Sequence, residues 1–241
     1  MKGEIVQLWV YLSATPLFGL TATLVAYLAA VKIHEKFGSK PILNPVVIAV
    51  IMLVIMLSVT GMDYATYFDG AQFIHFLLGP ATVALAVPLY RQMRKLRTVF
   101  FPLMSAIVAG IISGGISAVY IAEFLGASIE TALSLAPKSV TAPVAMGIAE
   151  AIGGLPSLTA ILVVTTGVIG AIIGTRLFDL IGCNDDSVKG VAMGVTSHGV
   201  GTARAFQVSS EMGAFSGLAM ALSALFTSML LPWLLTLMGY L

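Results

Sequence analysis

The sequence predicts an all-α polytopic membrane protein with about seven or eight transmembrane or re-entrant helical segments, each span needing roughly 20 mainly apolar residues. Two of the segments read as broken helices, and their placement leaves room for an inverted repeat. Three observations carry this. The 241 residues are 59% hydrophobic and 10% charged, with a mean hydropathy of +1.02, which is more apolar sequence than a soluble core absorbs. Apolar runs alternate with short polar connections, so a single membrane domain over residues 1–241 is expected. Finally, prolines, glycines and hydroxyl side chains interrupt the apolar sequence at 137–154 and 190–207, a pattern that points to discontinuous membrane helices.

The formal net charge of +1 argues against a nucleic-acid partner, because neutralising phosphates needs a large excess of clustered Lys and Arg. Cys183 is the single cysteine, which excludes an internal disulfide and a cysteine metal cluster, and no metal or cofactor is expected. A first apolar run from about Leu8 to Val31 contains Pro16 and has no small-residue cleavage site. It reads as a retained span. The basic connection Lys32 to Pro41 follows, with His34 in it, then a second span from Asn44 or Pro45 to Gly61. An acidic connection with Asp63 and Asp69 leads to a third apolar segment, Gln72 to Tyr90, holding His75, Gly79, Pro80 and Pro88. The densest basic run, Arg91 to Arg97, comes next. Seven of the 12 Lys and Arg lie in these two basic stretches, which places both in the cytoplasm.

A fourth span covers about Val99 to Glu123, and its Gly110, Ser113, Gly114, Gly115 and Ser117 suit close helix packing. Ser128 to Ala136 reads as a short amphipathic helix capped by Ser128 and stopped at Pro137. In the first break, Pro137 and Pro143 disrupt the backbone ladder around Lys138, Ser139 and Thr141. Glu150 stands in the apolar run that follows. Ser157 to Ile173 is a clear span, and a polar loop with Cys183, Asp185 and Asp186 precedes the second break, the two aspartates reading as a loop and helix start. A last span runs from about Phe215 to Met238.

The second break is the polar centre of the chain. Gly194, Gly199 and Gly201 weaken a continuous helix, each costing about 1 kcal/mol against alanine. Thr196, Ser197 and Thr202 offer hydroxyls, and His198 and Arg204 add protonation and fixed positive charge. Such groups must face protein or a water-filled cavity, and a small anion is the ligand they suit. The alternatives are structural: an interhelical hydrogen bond for His198, and an interfacial position for Arg204 and for Lys138. Whether each break spans or re-enters stays open, and the two choices put Cys183 on opposite sides of the membrane.

The segments Leu135-Ala136-Pro137-Lys138-Ser139-Val140-Thr141-Ala142-Pro143-Val144-Ala145-Met146, Met193 to Arg204 and Glu211-Met212-Gly213-Ala214-Phe215-Ser216 closely resemble the signature segments of the LrgB/CidB family. Asn44-Pro45 and Gly79 to Tyr90 fit it too. The resemblance implies a multi-pass protein of the bacterial inner (cytoplasmic) membrane that works beside a smaller LrgA/CidA-like membrane protein. Members are known as antiholin-like proteins linked to murein hydrolase control and lysis. The plant plastidial glycolate/glycerate translocator is similar to the two proteins fused, and some bacterial pairs are implicated in pyruvate uptake.

Two functions follow. One is a carrier of small monocarboxylates, of the glycolate, glycerate, lactate or pyruvate class, bound by Lys138, Ser139, Thr141, Thr196, Ser197, His198, Gly199, Gly201, Thr202 and Arg204. Hydroxyls and freed peptide N–H groups would take the oxygens, a cation would balance the charge, and His198 would couple a proton. The other is a holin-like pore or lysis regulator that forms homo-oligomers through its small-residue faces. An enzyme is not expected: the chain has no Gly-x-Ser-x-Gly and no His-Glu-x-x-His.

Overall fold

The computed structural model describes residues 16–38, 43–77, 80, 83–84 and 86–241. The start of the first apolar run near Leu8, the Ser39-Lys40-Pro41 part of the basic connection, and Gly79, Ala81 and Thr82 lie outside the described residues. Among the described residues every regular element is an α-helix, and the chain packs as two units, Met1–Ala84 and Leu85–Leu241. Among the described residues, four helices are long and apolar enough to cross a membrane.

In the first unit, helices α1 (Pro16–Lys36), α2 (Pro45–Thr60) and α3 (Tyr64–Phe76) pack together. Helix α1 passes beyond the expected Val31, because no residue before Gly38 takes a helix-ending conformation, so Lys32 to Lys36 are helical and not a loop. His34 is accordingly buried on α1, its Nδ1–H donating to the Leu43 carbonyl at 2.7 Å. Helix α2 is bounded as the sequence suggests, with the Asn44 side chain accepting from Val46 N–H and Gly61 ending the helix at φ 65°. The third apolar segment is not one span. Asp63 Oδ2 accepts from the N–H groups of Ala65 and Thr66, and this cap starts α3 at Tyr64, inside the expected acidic connection. A separate helix, α4 (Ala86–Arg91), takes up the later part.

The second unit continues with α5 (Met93–Thr98), so the basic run is helical and not a loop. Then come α6 (Phe100–Phe124), α7 (Ile129–Leu135), α8 (Ala142–Ala151), α9 (Pro156–Leu180), α10 (Asp186–Val208) and α11 (Ser210–Leu237). At 1.5 Å per residue, α6, α9 and α11 measure roughly 37 to 42 Å, enough to cross. Polar contacts orient them. Lys95 on α5 reaches Asp185, after α9, at 3.2 Å and Glu211, at the start of α11, at 2.7 Å. At the opposite end Tyr240 donates to the Glu123 carboxylate. Helices α6 and α11 therefore run parallel, from the Lys95 end to the Glu123 end, and α9 runs back.

Both breaks are re-entrant. Leu155 N–H donates to Ser134 Oγ at 2.7 Å, and Thr159 Oγ1 donates to the Ser134 carbonyl at 2.9 Å. A segment whose departure and return are hydrogen-bonded together does not cross a bilayer, and α8, at roughly 15 Å, is half the length needed. In α10 a straight 23-residue helix would separate its ends by roughly 33 Å, yet Ser209 Oγ donates to Asp186 Oδ2 at 2.6 Å. The fold-back is at His198, which has φ 40° and ψ −132°. A Cβ on Gly201 would meet the Met193 carbonyl at 2.9 Å, eight residues back, so the two arms lie against each other. The first hairpin is rooted at the Glu123 end and the second at the Lys95 end. Each follows a long helix, and the two helices are antiparallel, which gives the inverted arrangement.

Each hairpin has its own apolar packing. Val140, Ala145, Ile148 and Ile152 of the first cluster with Val119, Val163, Leu231 and Leu235, while Val195 of the second clusters with Leu103, Ile107, Phe215 and Ala219. Ser134→Ala is expected to lower stability by about 1–3 kcal/mol, because it leaves the Leu155 N–H unpaired while the α7 backbone stays intact. Thermal unfolding of the solubilised protein reads this.

The charged cluster at the root of the second hairpin makes stability depend on pH. The Ser187 hydroxyl first, then Lys95, hold the Asp185 carboxyl down at about 2, and the Glu211 hydrogen bond raises Lys95. A depressed carboxyl contributes stability that is complete above its ordinary value near 4 and is lost as pH falls from about 4 to about 2. The raised Lys95 contributes below its ordinary value, and that contribution fades in strong alkali. Asp185→Asn is expected to flatten the acid limb of a plot of unfolding midpoint against pH.

Candidate functional site

The first tip meets the outgoing arm of the second hairpin near the middle of α6 and α11. A cavity of about 10 Å³, room for roughly one water-sized sphere, is walled by Pro137, Ser139 and Val140 of the first tip, Val195 of the second hairpin, Gly110 and Gly114 of α6, and Thr227 of α11. Val163 of α9 joins the tips from another side. Its side chain packs among the first hairpin's residues, and its carbonyl accepts the His198 Nε2–H at 2.9 Å.

At the first tip, Lys138 is half-buried in the turn and its ammonium donates to Ser139 Oγ at 3.4 Å. Ser139 is half-buried on the cavity wall. Thr141 is the residue before α8, yet its side chain makes no capping hydrogen bond, so the first N–H groups of α8 receive none from it. Pro143, early in α8, has no N–H to leave unpaired. Glu150 is exposed near the far end of α8 and takes no part in the tip.

At the second tip, Thr196 is exposed, with Oγ1 donating to the Ala192 carbonyl at 2.7 Å, while Ser197 and His198 are buried. Helix α9 makes space for them with glycine. A Cβ on Gly167 would lie 2.6 Å from the His198 ring, and one on Gly170 would strike Ser197 Oγ. Gly199 is exposed and Gly201 is buried between the arms. Thr202 Oγ1 donates to the His198 carbonyl at 2.8 Å, so Ser216, 2.9 Å away, donates to Thr202. Arg204 is not brought to this tip. It lies six residues along the returning arm, half-buried, with Nη1 donating to Gln207 at 3.0 Å.

Sequence reasoning missed Ser134, which closes the first hairpin, and the α9 glycines that seat the second tip. Spacings of three and four place Gly167, Gly170 and Gly174 on one helical face, and that was the available signal. It missed Ser216, Ser223 and Thr227 as well, because hydroxyls in a clear span read as packing. Two grooves flank the outgoing arm of the second hairpin and both reach Thr196: one of about 460 Å³ against α6, and one of about 300 Å³ against α9. Among the described residues, no group of three or more His, Cys, Asp and Glu side chains is placed to hold a metal ion.

Antiparallel apolar helices and two opposed re-entrant hairpins define a multi-pass helical membrane protein with discontinuous segments at its centre. The chain belongs to the LrgB-like family, whose model matches residues 23–237. It is 34% identical to the holin-like protein CidB of Staphylococcus epidermidis, over 89% of this chain and 93% of the relative. It is 36% identical to the uncharacterized protein YxaC of Bacillus subtilis, over 87% and 91%, and 31% identical to the CidB of Staphylococcus aureus, over 89% and 93%. No solved structure matches it.

Proposed function

We propose that this protein carries small monocarboxylates of the glycolate, glycerate, lactate or pyruvate class across the cytoplasmic membrane, together with a small LrgA/CidA-like membrane partner. The observation that supports this is the opposed pair of hairpin tips. Each returning helix, α8 and the second arm of α10, begins at its tip, so two positive dipole ends lie in the protein's middle, beside hydroxyls and Lys138. That is a field for one small anion. The cavity between the hairpins is too small for a three-carbon acid, so binding requires them to part, and relative movement of the two hairpins would alternate access.

A second reading is a holin-like membrane protein regulating murein hydrolase activity and lysis, and the holin-like name of the CidB relatives favours its first part. Uptake and counterflow of glycolate, glycerate, lactate and pyruvate into vesicles, with and without the partner, separate the two. Saturable, selective exchange that needs the partner is the expected result, and unselective leakage of unrelated solutes would replace the carrier with the pore.

The positive-inside rule puts the Lys95 end in the cytoplasm, and Cys183, close in sequence to Asp185, goes with it. A membrane-impermeant maleimide is expected to label Cys183 only after permeabilisation. Labelling in intact cells would reverse the orientation.

A further inference from the structure

We infer that one face of α11 is the oxygen-binding wall of the central site, with Ser223 and Thr227 donating hydrogen bonds to a small organic anion. This rests on the carrier reading and gives it residues outside both breaks. Ser216, Ser223 and Thr227 are spaced seven and four apart, which places them on one side of the helix. The row begins at the second tip, where Ser216 meets Thr202, and ends at the central cavity, which Thr227 lines together with Ser139 of the first tip.

The hydroxyls along this row are treated differently. Elsewhere on α11, Ser228 donates to the Leu225 carbonyl at 2.7 Å and Thr236 to the Pro232 carbonyl at 3.0 Å, the usual way a helix absorbs a hydroxyl in an apolar setting. Ser223 does neither. It is 1% exposed and its Oγ has no hydrogen-bond partner, a state it shares among the described residues only with Arg204 Nε. Thr227, 6% exposed, lines the central cavity. An unpartnered buried hydroxyl is costly, and Ser223 stands one turn from Thr227, which is on the wall of the cavity that Ser139 of the first tip also lines; the pair fits donors held for a ligand.

The chemistry narrows the ligand class. A lone carboxylate takes up the dipoles of the tips, so the α11 hydroxyls are left for a second oxygen, which a 2-hydroxy or 2-keto acid has and a plain fatty acid of the same length lacks. A site built to hydrogen-bond such an oxygen discriminates strongly against an analogue without it.

The test is equilibrium binding of radiolabelled lactate and propionate to the full-length protein reconstituted with its small LrgA/CidA-like partner in lipid nanodiscs, with thermal unfolding of the protein measured in parallel. Thr227→Val and Ser223→Ala are each expected to weaken lactate binding by about tenfold and to leave propionate binding unchanged. Ser223→Ala should keep or raise the unfolding temperature, because it removes an unsatisfied polar group, and a purely structural hydroxyl would show that rise with no change in binding. Ser228→Ala is the control and should bind as wild type. Wild-type lactate binding in both variants overturns the inference and leaves the carrier reading standing. Absence of saturable lactate binding to the wild type overturns both.

Discussion

Gly194→Val is expected to leave almost no folded protein, with a loss of at least about 3 kcal/mol, at the upper end of what overpacking costs. Gly194 lies on the outgoing arm of the second hairpin, where it crosses α11. A Cβ there would strike the Ser216 carbonyl oxygen and come within 2.9 Å of Ala219 Cβ and 3.0 Å of Met220 N. Two of those three atoms are backbone and cannot turn aside. The arm would have to lift from α11, separating Val195 from Phe215 and Ala219 and opening the Thr202 to Ser216 hydrogen bond. Gly147→Ala is the control, since a Cβ on Gly147 meets nothing within 4 Å. It should be neutral or stabilising by up to about 1 kcal/mol through helix propensity. Fluorescence-detected size exclusion after heating separates the two variants, and a monodisperse, wild-type peak for Gly194→Val would count against the close crossing.

His198→Leu is expected to abolish saturable monocarboxylate uptake and to lower stability by about 2–3 kcal/mol. His198 is the one non-glycine residue with positive φ among those described. A backbone there costs on the order of 1–3 kcal/mol and persists because the surroundings over-determine it, here the ring's bond to Val163 and its seat on Gly167. Leucine keeps the strain and loses the bond. His198→Gly relieves the strain and loses the ring, so it should fold close to wild type and still fail to transport, which separates the bend from the imidazole. His198→Gln should exchange substrate while losing dependence on a pH gradient. Uptake across a range of external pH, with membrane levels matched, reads all three. An unchanged pH response in His198→Gln would return the ring to a structural role.

Arg204→Gln, which the sequence alone marks as a charge at the ligand, is expected to change apparent KM less than Lys138→Gln. Arg204 donates to Gln207 away from the tip, whereas Lys138 stands in the turn that lines the cavity. A rise in KM confined to Arg204→Gln, read by substrate uptake, would place the charge back on the second hairpin.

Hydropathy and proline and glycine placement by themselves determined the membrane class, helices such as Pro45–Thr60 and Phe100–Phe124, the cap at Ser128, the helix start at Asp185 and Asp186, and the positions of both breaks. These are local properties: a cap, a span and a break are each specified by residues within a turn or two. Gln72 to Tyr90 misled because an apolar run shows where a chain is comfortable, whereas the helix started at the Asp63 cap. Only the tertiary structure decided that both breaks re-enter. That rests on Ser134 with Leu155 and Asp186 with Ser209, pairs more than 20 residues apart that no local signal joins. It also decided which polar groups share the centre. His198 and Arg204 are neighbours in sequence and have different partners in space, while Ser139 and Thr227, 88 residues apart, line one cavity. A helix face is chosen by what packs against it, and that is a property of the whole fold.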